Sequence, residues 1–568
     1  MTGRRATQLR STMQEVPLSL GTVVRHGTTT YPDATVAVYD GVSTHRTTFG
    51  DLGRRAARLA DGLRSAMAVE TGEPIATLMH NTGEHLEAYL AVPAMGAVLH
   101  TLNVRYSTDQ LAYTVRQTGD RVVIVDQSVA GQLAAVLPSA PSVEEVVVVG
   151  GEPMDPAVRE DLARPGLTVR TYAELLEGRS ELYEWPELPE SAPALMCFTT
   201  GTTGDPKGVV YSHRSVYLAS MQMCMGDYLG LSEEDTGLVV VPLFHVNGWN
   251  FPFAALMVGM SIVLPGRFVQ PAHLARLIEQ ERPTVSAGVP TVWSDVLAFA
   301  RSTGSDLSSL RDVVVGGSVC TRSLIEAYER HYGVRLRHGW GMTEMSPFGS
   351  LAGRWSGEDE TTWDLRVSQG RLLGSVQARL VAPNGSVLPG DEVHMGEIEV
   401  RGPWVTGDYF GQSAPGSFHD GWLRTGDIGT ISPTGVVRLK DRAKDVIKSG
   451  GEWIVSLDLE QHLEQHPGVL DVAVIGVPDE RWGERPLAVI TSAEGTEPDF
   501  EELARFLADR VERWQVPQRW IRVDALPRTT VGKTDKQALR KRYADGVLAV
   551  VSVSLPRPGA GNGTAARR

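Results

Sequence analysis

One short segment near residue 200 combines the residue types that bind polyphosphate. Residues 198–208 read FTTGTTGDPKG, with three glycines, four threonines and one lysine. The segment lies between the apolar runs 194–198 and 209–211, so we expect it to join two strands. Glycine lets the backbone approach an anion, the threonine hydroxyls donate hydrogen bonds, and lysine adds a mobile positive charge. The segment therefore predicts a phosphate-binding loop.

The spacing of this segment differs from that of a P-loop NTPase. Pro206 precedes Lys207 and Gly208 follows it, whereas the P-loop lysine follows a glycine and precedes Ser or Thr. Taken alone, a turn rich in Gly and Thr is also typical of an ordinary surface loop. Four later segments support phosphate binding, and in chain order they are HGWGMTE at 338–344, GWLRTGDIG at 421–429, DRAKDVIKSGGEWI at 441–454 and PRTTVGK at 527–533.

These five motifs in this order resemble the adenylate-forming enzyme family, and within it the fatty-acyl-CoA synthetases. The segments VVPLFHVNGW (240–249), AGVPTVW (287–293) and IKSGGEWI (447–454) look like those of bacterial medium- and long-chain fatty acid CoA ligases. The resemblance runs from about residue 40 to about residue 545. It implies that ATP and Mg²⁺ convert a small-molecule carboxylic acid to acyl-AMP, with release of pyrophosphate, and that CoA then displaces AMP.

The resemblance assigns nucleotide contacts to the first two motifs. The residues that would hold the β- and γ-phosphates are Thr199, Thr200, Gly201, Thr202, Thr203, Gly204 and Lys207. Thr343 would contact the α-phosphate, and Glu344 would bind Mg²⁺ together with the Thr199 hydroxyl, because both are hard oxygen ligands.

The adenine and ribose contacts are implied in the same way. Candidates around adenine are Gly317, His338, Gly339 and Trp340. The ring of Trp340 would face the base where the family more often has tyrosine, although a core aromatic is the alternative. Gly317 would let the backbone approach adenine, or simply end a strand. Asp427 and Arg442 would bind the ribose, whereas an Asp in a turn is otherwise a local backbone cap.

The remaining assignments concern the acid, the thiol and the catalytic cation. Lys533 would neutralise the substrate carboxylate and the α-phosphate as they meet, although a lysine in such a turn is otherwise solvated. The residues that would line and gate a fatty acyl tunnel are His245, Gly248, Trp249, Val289 and Pro290. For His245 taken alone, a core histidine is the more common explanation. Lys444 marks the expected pivot of a mobile small domain, and Lys448 and Trp453 would line the pantetheine path and contact AMP.

Two other functions stay open at this level. The acyl group could pass from AMP to the phosphopantetheine of a carrier protein, because that thiol is chemically identical to the thiol of CoA. A nucleotide sensor without catalysis is disfavoured by the presence of all five charged motif residues, which are Lys207, Glu344, Asp427, Arg442 and Lys533.

Composition limits the classes of partner that we expect for this protein. The net charge of -14 provides no global positive field for nucleic acid, so we expect none as a partner. The three cysteines have no C-x-x-C spacing and predict neither a zinc site nor a disulfide framework, which fits the cytoplasm. The apolar stretch 237–266 contains prolines, a histidine and asparagines, so we predict buried strands, a loop and a helix rather than an integral membrane segment. A homodimer is compatible with the sequence.

The elements that must position these motifs follow an α/β pattern. Predicted strands at 122–126, 143–149, 237–241, 261–264, 284–287 and 312–315 alternate with predicted helices at 51–67, 85–98 and 273–281. A smaller pattern follows residue 441, with helices at 457–466 and 500–514 and strands at 469–477, 487–491 and 521–524. We therefore predict a large N-terminal domain of helix-covered sheets (1–441), a small mobile α/β domain (442–546) and a disordered tail (547–568).

Overall fold

The computed structural model describes residues 11–150, 154–199, 205–449, 452–493, 495–528 and 534–553. The chain divides into two compact units. The described residues of the first unit are 11–150, 154–199, 205–349 and 403–413, and those of the second are 350–402 and the described residues from 414 to 553. The predicted boundary at 441/442 falls inside the second unit and stays a prediction.

The first unit alternates strands and helices, as the sequence predicts. In chain order its elements are α1 (Leu20–Thr30), β1 (Thr35–Tyr39), β2 (Thr44–Thr48), α2 (Phe49–Met67), β3 (Pro74–Leu78), α3 (Gly83–Ala94), β4 (Val98–Thr101), α4 (Thr108–Thr118), β5 (Val122–Asp126), α5 (Ala130–Val136), β6 (Glu145–Val149), α6 (Pro156–Asp161), β7 (Thr168–Thr171), α7 (Tyr172–Leu176), β8 (Pro193–Phe198), β9 (Gly208–Ser212), α8 (His213–Cys224), β10 (Thr236–Leu238), α9 (Phe251–Val258), β11 (Ser261–Leu264), α10 (Pro271–Glu281), β12 (Val285–Gly288), α11 (Pro290–Thr303), β13 (Asp312–Val315), α12 (Arg322–Tyr332), β14 (Arg335–Gly341) and β15 (Phe348–Leu351).

Two sheets position the candidate site residues of this unit. One has the order β7-β6-β5-β3-β4-β8-β9, and its strands are parallel except for β9, which runs antiparallel to β8. The other contains β14-β13-β12-β10-β11-β1-β2, parallel up to β1. Because parallel strands end at a common edge, the segments that follow β10, β12, β13 and β14 emerge together.

The second unit contains an antiparallel sheet and a smaller mixed sheet. Its elements are α13 (Glu360–Val367), β16 (Gly370–Leu372), β17 (Gln377–Val381), β18 (Val387–Leu388), β19 (Gly396–Arg401), β20 (Phe418–His419), β21 (Trp422–Ile431), β22 (Val436–Arg442), β23 (Ile447–Ser449), β24 (Glu452–Ile454), α14 (Ser456–Leu463), β25 (Val469–Asp479), β26 (Gly483–Ser492), α15 (Phe500–Ala508), β27 (Arg519–Arg522), α16 (Lys536–Ala544) and β28 (Val551–Ser552).

The smaller sheet is covered by apolar side chains on both faces. One cluster packs α14 and α15 against it, and a second packs α16 against the other face. Strand β28 pairs antiparallel with β27, so regular structure extends beyond the predicted limit of residue 546. Within the described parts of both units, no helix has the length and apolar character required to cross a bilayer.

The mixed α/β class predicted from the sequence is confirmed, while three helix ends were predicted wrongly, among them the helix predicted at 457–466, which ends at Leu463. The helix predicted at 85–98 ends at Ala94, because Gly96 takes a positive φ of 91° and Val98 begins β4, where it pairs with Pro74. The helix predicted at 500–514 ends at Ala508, and residues 513–515 form a separate 3-10 turn.

Gly370 tests the packing of the second unit. Its φ is +80°, and a β-carbon there would lie 1.8 Å from the backbone carbonyl carbon of Leu351. We expect Gly370→Ala to cost more than about 2 kcal/mol, because the left-handed conformation alone costs about 1–2 kcal/mol in an L-residue. Gly374→Ala is the matched control, since no atom lies within 4 Å of a β-carbon there. Thermal unfolding of both variants checks this, and equal midpoints would contradict it.

Candidate active site

Backbone and side-chain hydrogen bonds join the two residues that flank the candidate phosphate loop, Thr199 and Lys207. The loop joins β8 to β9, as predicted, and the Thr199 amide donates to the Lys207 carbonyl at 2.8 Å, while the Lys207 amide donates to Thr199 Oγ1 at 3.2 Å. Tyr106 donates its hydroxyl proton to the Thr199 carbonyl at 2.9 Å. Thr199 and Lys207 are thus adjacent. The other predicted phosphate ligands lie outside the described residues, and they are Thr200, Gly201, Thr202, Thr203 and Gly204.

The second motif forms the end of β14 and the turn that follows. Thr343 and Glu344 lie in a short 3-10 turn, Thr343–Met345. Gly341 precedes this turn at a point where only glycine fits, since a β-carbon would lie 1.6 Å from the Pro347 carbonyl oxygen. That carbonyl accepts a hydrogen bond from the Met342 amide at 3.1 Å. The tight turn therefore determines the position of Glu344.

The candidate adenine residues lie on β14 and after β13. His338 is buried, and its Nε2 is 3.2 Å from the carbonyl oxygen of Ser318. Trp340 is also buried, with its ring close to Gly349, as expected for a core aromatic. Its stacking on adenine stays a prediction. Gly317 follows β13 with a φ of +83°.

Glu344 is only 6% exposed, and its carboxylate has a defined partner. Tyr409 donates its hydroxyl proton to Glu344 Oε1 at 2.6 Å, and the Thr406 amide donates to the Glu344 carbonyl at 2.8 Å. The same Tyr409 ring lies 4.6 Å from the ammonium nitrogen of Lys207, at cation–π distance. Two motifs that are far apart in the sequence therefore share one tyrosine.

Tyr409 belongs to a segment that the sequence reasoning missed. Residues Pro403–Ser413, here called the return segment, belong to the first unit although their chain neighbours belong to the second. The Phe410 amide donates to the Gly208 carbonyl at 2.8 Å, and Trp404 Nε1 donates to the Phe348 carbonyl at 2.9 Å. The only sequence signal was an aromatic pair between two glycines, TGDYFGQ at 406–412.

The candidate acyl-site residues lie beside this turn. Trp249 covers Gly316, since a β-carbon on Gly316 would lie 3.4 Å from the indole and 3.1 Å from the Gly339 carbonyl oxygen. Val289 lies next to Gly317, 3.6 Å from the position of a β-carbon there. Val289 and Gly317 thus bring a predicted acyl-site residue against a predicted nucleotide residue, and Trp249 lies against Gly316, the neighbour of Gly317. Pro290 begins α11, directly after Val289.

The segment that carries Trp249 has an unusual backbone. Val246, Asn247, Trp249 and Asn250 have φ values of 45°, 58°, 50° and 60°, and Gly248 between them has 58°. Left-handed conformations cost about 1 kcal/mol or more in residues other than glycine, and they concentrate at functional sites. The side-chain amide of Asn250 donates through Nδ2 to the Ser346 carbonyl and so joins this segment to the turn after Glu344. His245 precedes the left-handed segment, and both interpretations of its side chain remain open.

In the second unit, the two candidate ribose contacts are neighbours. Asp427 on β21 pairs in register with Arg442 on β22, and Arg442 Nε lies 2.9 Å from Asp427 Oδ1. Asp427 is 3% exposed, so this ion pair stabilises a buried carboxylate. Their adjacency is what a shared ribose contact requires.

The candidate pivot residue and the candidate thiol-path residues come after β22 in the chain. Lys444 lies in a turn, where burial lowers the pKa of its ammonium group. Lys448 and Trp453 face each other across the β23–β24 pair. The Lys448 amide donates to Glu484 Oε2 at 2.9 Å. The predicted catalytic Lys533 lies outside the described residues.

The donor set fits a magnesium ion that binds with the nucleotide. In the ranges that the structure describes, no group of three or more His, Cys, Asp or Glu side chains is arranged for a metal. Magnesium is usually held by one or two carboxylates together with substrate phosphates and water. A single buried Glu344 carboxylate, with the Thr199 hydroxyl as a second oxygen donor, fits that pattern.

A covalent thiol mechanism is disfavoured by Cys197. This residue lies on β8, two residues before Thr199, and burial raises the pKa of its thiol to about 11. A neutral thiol is a poor nucleophile. Cys197 is therefore unsuited to act as a nucleophile in the candidate site.

The candidate phosphate loop, the buried carboxylate turn and the Asp–Arg pair, carried by α/β units, are the features expected of a nucleotide-dependent enzyme. Residues 24–410 match the AMP-binding enzyme family, and residues 458–533 match the AMP-binding enzyme C-terminal domain. The chain belongs to the AMP-binding enzyme family, and the family predicted from its motifs is confirmed.

Relatives and solved structures cover nearly the whole chain. The chain is 40% identical over 543 residues to the medium-chain-fatty-acid–CoA ligase of Ectopseudomonas oleovorans, covering 94% of this chain and 98% of that protein. It is 40% identical over 555 residues to the long-chain-fatty-acid–CoA ligase of Thermus thermophilus, covering 96% and 99%. The fold is similar to ATP-bound MatB from Rhodopseudomonas palustris, with a TM-score of 0.78, 26% identity, and coverage of 93% and 99%.

Gly341 tests the turn that positions Glu344. We expect Gly341→Ala to weaken ATP binding at least about tenfold, because a displaced turn loses charge-assisted contacts worth about 1.5–3 kcal/mol each. Gly131→Ala in α5 is the control, since a β-carbon there meets no atom within 4 Å. Calorimetric titration with ATP and Mg²⁺ measures both variants. Unchanged ATP affinity in Gly341→Ala would show that the turn tolerates a side chain.

Proposed function

We propose that this enzyme is an AMP-forming acid–thiol ligase that activates a fatty acid, or a related hydrophobic carboxylic acid, and transfers it to CoA. The observation that supports this most is the contact of Trp249 with Gly316 beside the Gly339 carbonyl. An apolar gate next to a nucleotide motif suits an acid whose carboxylate must reach the α-phosphate while its chain stays in an apolar channel. The two fatty-acid–CoA ligases to which the chain is similar support the same substrate class.

In the first step, a carboxylate oxygen of the acid attacks the α-phosphorus of ATP. The bond from that phosphorus to the bridging oxygen breaks, and pyrophosphate leaves with the electron pair. Lys207 and the loop hydroxyls would hold the β- and γ-phosphates in line with the attack, while Lys533 would neutralise the two anionic reactants. Mg²⁺, held by Glu344 and Thr199, supplies charge neutralisation on the phosphate oxygens when bound.

In the second step, the sulfur of CoA attacks the acyl carbonyl carbon. The carbon–oxygen bond to AMP breaks, AMP leaves as the phosphate anion, and the thiol proton passes to solvent. Asp427 and Arg442 would hold the ribose of the leaving AMP, since their ion pair orients the carboxylate. Lys448 and Trp453 would line the path of the pantetheine thiol after the small domain turns about Lys444.

The proposal also covers the compartment and the oligomeric state. Because the reaction uses ATP and CoA, we propose that the enzyme is cytoplasmic. A homodimer stays a prediction, which light scattering after size-exclusion chromatography would check.

A panel of acids tests the reaction class and the role of Lys533. The wild type should release AMP and form acyl-CoA with fatty acids of some range of lengths. Lys533→Ala should lose acyl-AMP formation by at least about a hundredfold while it still converts supplied acyl-AMP and CoA to thioester, because the charge is needed only where two anions meet. Pyrophosphate exchange and thioester formation are measured separately.

Three results would contradict this proposal. Equal loss of both half-reactions in Lys533→Ala would show a structural role for the lysine. Thioester formation on a carrier protein but not on free CoA would favour the carrier-directed reaction. Nucleotide binding without pyrophosphate exchange for any acid would favour a sensor.

Trp249 tests the proposed gate. We expect Trp249→Ala to change the ratio of kcat/KM between short and long acids by about tenfold or more, since a few methylene groups in an apolar pocket have effects of that size. The KM for ATP should change less. Trp185→Ala removes a half-buried indole that lies against Tyr183, outside these motifs, and is the control. A uniform loss of activity without a change of length profile would make Trp249 a packing residue.

A further inference from the structure

The return segment connects two nucleotide motifs of the first unit through one side chain. Tyr409 is 7% exposed. Its hydroxyl lies 2.6 Å from Glu344 Oε1, and its ring lies 4.6 Å from Lys207 Nζ. The two partners have opposite charges and are separated by more than 130 positions in the sequence. A buried side chain in contact with both is placed to orient both.

Tyrosine suits this position for a chemical reason. Its hydroxyl donates a hydrogen bond in the plane of the ring, which a carboxylate accepts strongly. The faces of the ring carry partial negative charge and attract an ammonium group. The two contacts therefore use different parts of one residue, and the hydroxyl contact can be removed without the ring contact.

The backbone around Tyr409 is attached to both motifs. On one side, the Thr406 amide donates to the Glu344 carbonyl at 2.8 Å. On the other side, the Phe410 amide donates to the Gly208 carbonyl at 2.8 Å, next to Lys207. Further along, Gln412 donates from its side chain to the Tyr113 hydroxyl. The tyrosine is therefore held at a fixed distance from the two charged groups that it contacts.

We propose that Tyr409 is a positioning residue for nucleotide activation, with its hydroxyl orienting the Glu344 carboxylate toward Mg²⁺ and its ring orienting the Lys207 ammonium toward the phosphates. This inference rests on the proposed function, which makes Glu344 a metal ligand and Lys207 a phosphate contact. The tyrosine contact at Oε1 limits the orientations that the Glu344 carboxylate can adopt. The hydroxyl acts on metal binding and the ring on phosphate binding.

Two substitutions separate the two parts of the side chain. Tyr409→Phe removes the hydroxyl and keeps the ring, whereas Tyr409→Leu removes both. Tyr113→Phe is the matched control, because it also deletes a hydroxyl that contacts the return segment but leaves Glu344 and Lys207 untouched. Calorimetric titration compares the binding of ATP with Mg²⁺ and of ATP with EDTA. Pyrophosphate exchange gives the half-saturating Mg²⁺ concentration and the kcat at saturating Mg²⁺.

For Tyr409→Phe we expect ATP binding in Mg²⁺ to weaken by about tenfold, while binding in EDTA changes by less than about twofold. The half-saturating Mg²⁺ concentration should rise by a similar factor, and kcat at saturating Mg²⁺ should change little. Tyr409→Leu should weaken binding in both conditions, because the Lys207 contact is lost as well. Tyr113→Phe should resemble the wild type in every measurement.

Other patterns would overturn the inference. Wild-type binding in both Tyr409 variants would do so, as would the same loss in Tyr113→Phe, which would show that the return segment contributes only to stability. A lowered thermal midpoint with equal losses in Mg²⁺ and EDTA for Tyr409→Phe would also assign it a structural role. If the wild type binds ATP but exchanges no pyrophosphate with any acid, the proposed function fails, and the two binding titrations still decide the role of Tyr409.

Discussion

The site depends on one constraint, namely that donors and cations for a polyphosphate must converge from segments that are distant in the chain. Parallel strands meet this constraint, because their carboxyl ends lie at one edge. In the first unit, the segments after β10, β12, β13 and β14 supply Trp249, Val289, Gly317 and Glu344 respectively. The sheet thus determines that candidate acyl-site and nucleotide residues meet, as the proximity of Val289 to Gly317 shows.

The second constraint on the site is that its buried carboxylates need hydrogen-bonding or charged partners. Glu344 and Asp427 are both nearly inaccessible to solvent, and an isolated buried carboxylate would be costly. Each has a close donor, the Tyr409 hydroxyl for Glu344 and the Arg442 guanidinium for Asp427. These partners orient the carboxylates. The contacts that make burial of the two charges tolerable therefore also fix the orientation of the groups that we propose bind Mg²⁺ and ribose.

Backbone conformation contributes to the site as well. Five consecutive residues from Val246 to Asn250 have positive φ values, which is unfavourable for the four that are not glycine. The segment is held by a hydrogen bond from the side-chain amide of Asn250 to the Ser346 carbonyl. Backbone strain of this kind concentrates at functional sites, which makes the segment that carries Trp249 a candidate functional feature.

Much of the local structure could be predicted from the sequence, because it depends on residue type and period. Apolar β-branched runs predicted the strands Ser261–Leu264 and Asp312–Val315 at their observed limits, and the helical period predicted α2 to within two residues. The glycine, threonine and charged motifs identified the family, since their chemistry is local and their order is rare. The sequence by itself thus determined the α/β class and most of the candidate site.

The tertiary structure alone decided which distant groups meet. Nothing in TGDYFGQ predicts that Pro403–Ser413 packs with the first unit, because that placement depends on backbone partners such as Gly208 and Glu344 far along the chain. The left-handed conformation of residues 246–250 before α9 could not be predicted for the same reason, since Val and Trp do not favour positive φ. The end of α3 depended on the pairing of Val98 with β3. Residue types determine local conformation and chemistry, whereas long-range packing determines which of those groups share a site.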